Sequence, residues 1–168
     1  VVVLALMLSM APLAMAEGAP IQVDVFFYDY SDTYIGSVRA AMEDQLKAAA
    51  DKFSYNFYDG ASNQATQTQQ IETALTRGTD LLIVNIVTTG SDEAAQNIVD
   101  AAKEKDVPVV FFNREVSDAV VNSYEKCAFV GTDADEAGYM QGQMIAEFLG
   151  LEGNFAKYDI NGDKLISY

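Results

Sequence analysis

The chain has 168 residues, and 25 acidic against 10 basic side chains give it a net charge of −15 with no histidine. The length suits one domain of ordinary size. The acid excess counts against nucleic acid and anionic membrane surfaces as partners and suits a soluble, monomeric, exported protein, while the missing imidazole removes His-based triads and His metal sites.

Residues 1–16, VVVLALMLSMAPLAMA, are uncharged and almost wholly apolar. Ala14, Met15 and Ala16 have the small-x-small form of a signal-peptidase site, and Pro12 breaks a run already short for a membrane span. The segment reads as a signal peptide that lacks its initiating Met and basic start, hence clipped; a buried apolar helix is the alternative. No cysteine follows it to carry a lipid, so the expected destination is a periplasm. The single cysteine, Cys127, can form no internal disulfide. In the apolar run CAFV it reads as a small buried hydrophobe.

Past the leader the pattern alternates between two periods. IQVDVFFY (21–28) is a strand rich in β-branched and aromatic residues. Residues 31–53 are helical, with Ile35, Val38, Met42 and Leu46 on one face and Ser31 or Asp32 as the cap. FSYNFYD (53–59) is a strand, 62–78 a helix ending in Arg77 and Gly78, and DLLIVNIV (80–87) a strand covered on both faces. Residues 91–106 form a helix with Ala95, Ile98, Val99 and Ala102 inward, and VPVVFFN (107–113) is a further buried strand. Strand–helix repeated three times and closed by a fourth strand predicts an α/β fold, an open parallel sheet with helices on both faces. Residues 114–126 read as a connection with a short helical turn, and CAFVGTD (127–133) as a fifth strand. Residues 134–150 read as a helix with Met140, Met144, Ile145 and Phe148 on a core-facing side. This last strand and helix either extend the first sheet or begin a second domain.

In open parallel sheets, ligands bind outside the carboxyl ends of the strands. There the sequence places Tyr28, Asp29, Tyr30, Asp32 and Tyr34 after the first strand, Asn85 after the third, and Asn113, Arg114 and Glu115 after the fourth. Carboxylate, amide and aromatic rings together suit a sugar: the carboxylate accepts from neighbouring hydroxyls, the amide both donates and accepts, and a ring covers the apolar C–H face. Each residue also has a plainer role open to it. Asp32 sits where an N-cap belongs, Asn85 could end a strand, and Tyr34 could pack on a loop. No GxSxG, Walker A or GxGxxG element follows any strand. The rim reads as holding a ligand rather than transforming it, so no enzymatic activity is expected. At the other end of the chain, Asp159, Asn161 and Asp163 alternate as in the opening of a calcium loop, or of a polar turn.

YDYSDTYIGSVRAAMED, LIVNIV, VPVVFFNREVSD and FVGTDADEAGYMQGQMIAE, in this order and spacing, resemble the periplasmic D-galactose/D-glucose-binding proteins. These are the sugar-binding components of ABC importers and, in some bacteria, ligand carriers for a chemoreceptor. The resemblance runs over about residues 22–168 and implies a two-lobed protein with the sugar held between the lobes. It implies that Asp32 bonds sugar hydroxyls, that Tyr34 takes the place of a stacking aromatic (usually Phe), and that Asn85 matches a family asparagine. A first hinge crossing near Asn113 would make 17–113 the first lobe and 114–168 the start of the second. The family's remaining sugar contacts would lie beyond residue 168. The resemblance also implies a structural calcium at 159–168, bound by Asp159, Asn161, Asp163, the Leu165 carbonyl and Ser167. Two features depart from that pattern. Lys164 stands where Gly is usual, and the glutamate that completes the shell comes from a distant segment. The expected function is a periplasmic receptor that binds a hexose, galactose or glucose, and delivers it to an ABC permease. Alternatives are a receptor for another sugar, pentose or signalling, or the effector domain of a sugar-responsive repressor.

Overall fold

The computed structural model describes residues 19–148, so the leader expected at 1–16 and the calcium-type loop expected at 159–168 lie outside the described residues. In chain order the elements are β1 (Ile21–Phe27), α1 (Thr33–Ala48), β2 (Phe53–Asp59), α2 (Gln64–Arg77), β3 (Leu81–Val84), α3 (Glu93–Glu104), β4 (Val109–Phe112), α4 (Asp118–Val121), β5 (Cys127–Val130) and α5 (Ala134–Phe148). All strand pairs are parallel, in the order β2-β1-β3-β4-β5. β1 is central and reads almost continuously apolar because successive side chains go to opposite faces, both of which are covered at β1. Val23, Val25 and Phe27 meet Ile35, Val38 and Met42 of α1. Phe26 joins Ile71, Ala74 and Leu75 of α2, the four expected alanine, isoleucine and valine positions of α3, and Val120 of α4.

Helix ends follow their residue chemistry. The Asn63 side chain accepts from Thr66 N at the start of α2, and Gly78 closes that helix at φ 93°, a left-handed conformation that costs glycine no Cβ clash. Of the apolar stripe expected on α1, Ile35 is fully buried, whereas Val38, Met42 and Leu46 are half-buried. Among the described residues α1 is the only helix that contributes side chains to the apolar cluster on this face, and an open apolar groove of about 420 Å³ runs beside it, lined by Val38, Ala41, Met42, Gln45, Leu46 and Ile83.

Two expectations are corrected. The lobe boundary at residue 113 does not hold, because β5 pairs with β4 from Val109↔Cys127 to Phe112↔Val130 and extends the first sheet. Asn113 N donates to Val130 O at 2.9 Å, and Val120, Cys127 and Phe129 pack on the main core. The segment after β4 therefore finds its apolar partners in the first layer. Cys127 is half-buried there, and burial raises its thiol pKa. The second correction concerns α5. Met140, Met144, Ile145 and Phe148 do lie on one helix, but they are 52–89% exposed, since no described layer lies opposite them.

One charge enters the sheet interior. Asp24 of β1 is wholly buried and receives both Oδ atoms' bonds from Arg77 Nη2 at 2.8 Å, with Asn56 Nδ2 at 2.9 Å and Tyr58 Oη at 3.3 Å. At the carboxyl edge, Gly60 brings the exit of β2 against that of β1, its N–H donating to Phe27 O at 2.8 Å. A Cβ at Gly60 would stand 3.0 Å from Phe27 O and from Val87 Cγ2 and 3.1 Å from Tyr28 O. Two of these neighbours are backbone and cannot swing aside, so Gly60→Ala should cost about 1–3 kcal/mol, read as a lower midpoint in urea with an unchanged slope.

Candidate functional site

A sheet of this order reverses its winding between β1 and β3, which opens a crevice outside their carboxyl ends. The loop from Tyr28 to Asp32 leaves β1 there and turns into α1. Asp32 is the N-cap of α1: its Oδ1 accepts from Ile35 N at 2.8 Å and its Oδ2 from the Tyr28 hydroxyl at 2.6 Å. These bonds, the phenol's first, hold its carboxyl below the ordinary aspartate pKa. A carboxylate has about four lone-pair sites, so capping leaves Asp32 with acceptor capacity for a ligand. The capping and binding roles are compatible. Tyr34 stands on the first turn of α1 and is 64% exposed, an aromatic residue held out on a rigid element.

Asn85 lies deeper than Asp32 and Tyr34. It is wholly buried, and both ends of its amide are engaged. Its Oδ1 accepts from Tyr28 N at 3.3 Å, and its Nδ2 donates to Phe112 O and to Asn113 Oδ1, both at 3.2 Å. Its own carbonyl accepts from Gln67 Nε2 at 2.9 Å. Asn85 thus ties the exits of β1, β3 and β4 together beneath the rim. The amide that reaches the surface is Asn113, which is exposed and held at φ 64°. That left-handed conformation suits asparagine better than most side chains. With its Oδ1 turned toward the Asn85 amide, the Asn113 Nδ2 donor has no partner among the described residues. The sequence pointed to both asparagines at strand ends. Burial separates the strut from the surface group, and the signal was the end position of Asn113 immediately before the β4 loop.

Side chains also pin the exit of β3. Gln67 Oε1 accepts from Val87 N at 3.0 Å and Gln64 Oε1 from Thr88 N at 2.8 Å. Arg114 Nη1 donates to Ile86 O at 3.1 Å and Val87 O at 2.5 Å, and its guanidinium lies 4.0 Å from the centroid of the Tyr28 ring. None of these links was visible from spacing alone, because they join residues between 20 and 86 positions apart.

Asp29, beside the site, accepts from Ser31 Oγ at 2.6 Å and Ser31 N at 2.7 Å, and also from Ser62 Oγ. The Ser31 hydroxyl first, then Ser62, lower its pKa to about 2. A carboxyl depressed in the folded state stabilises fully above its unfolded pKa of roughly 3.9 and loses that contribution as pH falls toward the folded value. Asp29→Asn should therefore lose its stability deficit relative to the parent as pH falls from about 4 to about 2, read by denaturant titration at each pH.

Two concavities open on the same edge of the sheet. One of about 440 Å³ is lined by Glu115, Asp118, Phe129, Gly131, Thr132, Asp133 and Asp135. The other, about 200 Å³, lies among Thr88, Gly90, Ser91, Asp92, Ala95, Glu115 and Val116. Among the described residues no group of three or more His, Cys, Asp or Glu side chains is placed to hold a metal ion, and no helix is long and apolar enough to cross a membrane.

A sequence profile described as "periplasmic binding protein domain" matches residues 23–162, well over half of the chain. The chain belongs to the periplasmic binding protein family. Within the family it is 32% identical over 127 residues to the D-galactose/methyl-galactoside binding periplasmic protein MglB of Haemophilus influenzae, covering 75% of this chain and 37% of that protein. It is 28% identical over 93 residues to the D-xylose-binding periplasmic protein of Escherichia coli, covering 55% and 26%. An ABC transporter solute binding protein from Bacillus halodurans with bound myo-inositol shares the fold at a TM-score of 0.67 and 27% identity, covering 79% of this chain and 43% of that structure. The chain thus spans less than half the length of these family members.

Proposed function

We propose that this chain forms one wall of an exported receptor that encloses a small polyhydroxylated sugar between two lobes and delivers it to a membrane permease of the ABC class. Lobe closure on the ligand would be the mechanism. The observation that carries this reading is the pairing on one rim of an ionised acceptor, Asp32, with an amide, Asn113, whose Nδ2 donor is unpartnered among the described residues. A ring sugar presents hydroxyl donors and oxygen acceptors in alternation, and such a pair matches both. Tyr34 supplies an apolar ring for the C–H face. In this reading Asn113 takes the contact that the sequence assigned to Asn85, and Asn85 holds it in place. One wall alone leaves the ligand in water, so tight binding requires both lobes.

The Haemophilus relative favours a hexose of the galactose type, while the xylose-binding and myo-inositol-bound family members keep a pentose or a cyclic polyol as the second reading. A thermal-shift panel of galactose, glucose, xylose, arabinose and myo-inositol on the full-length protein separates them. At 100-fold saturation the bound ligand stabilises by about 2.7 kcal/mol, so the cognate sugar should raise the midpoint by several degrees and be recovered chemically unchanged. A panel without any shift would remove the sugar reading, and turnover of the sugar would replace the receptor by an enzyme.

A further inference from the structure

We infer that Tyr28 and Arg114 are positioning residues that fix the Asp32 carboxylate in the orientation in which it meets ligand hydroxyls, an inference that rests on the binding reading above. The links form a chain from backbone to carboxylate. Gln67 and Gln64 hold the amides of Val87 and Thr88, which sets the carbonyls of Ile86 and Val87. Those carbonyls hold the Arg114 guanidinium, the guanidinium lies over the Tyr28 ring at 4.0 Å from its centroid, and the Tyr28 hydroxyl donates to Asp32 Oδ2 at 2.6 Å. The far end of Tyr28 is held as well, through its N–H on Asn85 Oδ1. The exits of β1, β3 and β4 thus converge on one carboxylate.

The chemistry explains why a cation is used this way. The cap bond on Oδ1 alone leaves the carboxylate free to turn about its own axis, and a second bond on Oδ2 fixes its plane. A direct ion pair would fix it too, but would occupy the oxygens that a ligand needs. Among the described residues Arg114 forms no ion pair. Its donors go to two carbonyls and its face to a ring, so its charge favours the ionised carboxylate without covering it. The groups facing Asp32 are the Tyr28 phenol, the Ile35 and Tyr34 amides and the Arg114 guanidinium, while Asp29 faces Tyr28. The phenol is the largest of these influences and Arg114 the smallest.

The test uses carboxyl 13C NMR of the full-length protein across pH, with galactose calorimetry on the same samples. Tyr28→Phe keeps the ring and removes only the hydroxyl. Loss of a bond to the charged form raises a carboxyl pKa, so the Asp32 titration midpoint should move up, by less in Arg114→Gln, and Arg114→Lys should restore part of the latter shift. Galactose affinity should fall about tenfold in Tyr28→Phe, with the acid limb of its pH profile moved upward; a role in folding alone would weaken binding equally at every pH. An Asp32 midpoint unchanged in both folded variants overturns the inference. Where Tyr28→Phe does not fold, Arg114→Gln decides by itself. A shifted midpoint in a protein that binds no galactose or other sugar upholds the clamp and removes the sugar reading instead.

Discussion

Replacing Asp32 by serine should abolish most sugar binding while leaving the fold intact. Serine is a good N-cap and keeps the bond to Ile35 N, so α1 retains its start. It has no charge and one oxygen, however. Hydrogen bonds to a charged group contribute about 1.5–3 kcal/mol each. Losing two such bonds to neighbouring hydroxyls weakens binding by about 100-fold or more. Asp32→Ala removes both functions, and should lose binding to the same degree plus about 1 kcal/mol of stability from the missing cap. The pair of variants separates the capping role from the binding role at a single residue. Equal affinity in Asp32→Ser and the parent, by calorimetry, would assign Asp32 to the helix alone.

The second large effect lies in the sheet interior. Arg77→Met should destabilise the protein by about 3 kcal/mol, the low end for a broken buried ion pair because Arg77 is 47% exposed while Asp24 is fully buried. The loss is asymmetric. Without Arg77 the carboxylate keeps only the Asn56 amide and the Tyr58 and Gln22 donors in a dry layer. Without the carboxylate, the guanidinium can turn to solvent and still donate to Tyr58 Oη. Asp24→Asn should therefore cost clearly less, and Asp24→Asn combined with Arg77→Met should recover more than half of the single-variant loss. Chemical denaturation measures all three. Additive losses in the double variant would mean that the two side chains do not act as a pair.

The alternation of periods made the architecture legible. Four strands and three helices stand where β-branched runs and 3.6-residue stripes put them, and Ala95, Ile98, Val99 and Ala102 are the residues that α3 buries. The strand Cys127–Val130 was legible as a strand but not as a member of this sheet, because pairing between β4 and β5 is a long-range choice that local pattern does not encode. The stripe on α5 shows the same limit from the other side. Its spacing announces a buried face, yet whether that face is covered depends on what stands opposite. At the edge of β1, residue type and strand-end position were enough to mark Asp32 as the N-cap of α1 and Tyr34 as a ring on its first turn. They could not rank Asn85 against Asn113, since both are asparagines at strand ends. They differ in depth below the rim, Asn85 buried and Asn113 exposed, and depth is a property of the packed layer. The Arg114–Tyr28–Asp32 chain was equally hidden, because a cation–ring contact carries no spacing rule.

In the proposed receptor, the carboxyl edge of this sheet, at β1 and β4, holds the hydroxyls of a sugar. A 15N NMR titration of the full-length protein with its cognate sugar tests this most directly. The expected result is that the Asn113 side-chain amide and the backbone amides of Asp32 to Ile35 shift on saturation, while Ile21, Phe53 and Leu81 at the opposite edge remain in place. Shifts confined to the groove beside α1 or to the pocket around Asp133, with Asn113 and the Asp32 turn unmoved, would contradict the account.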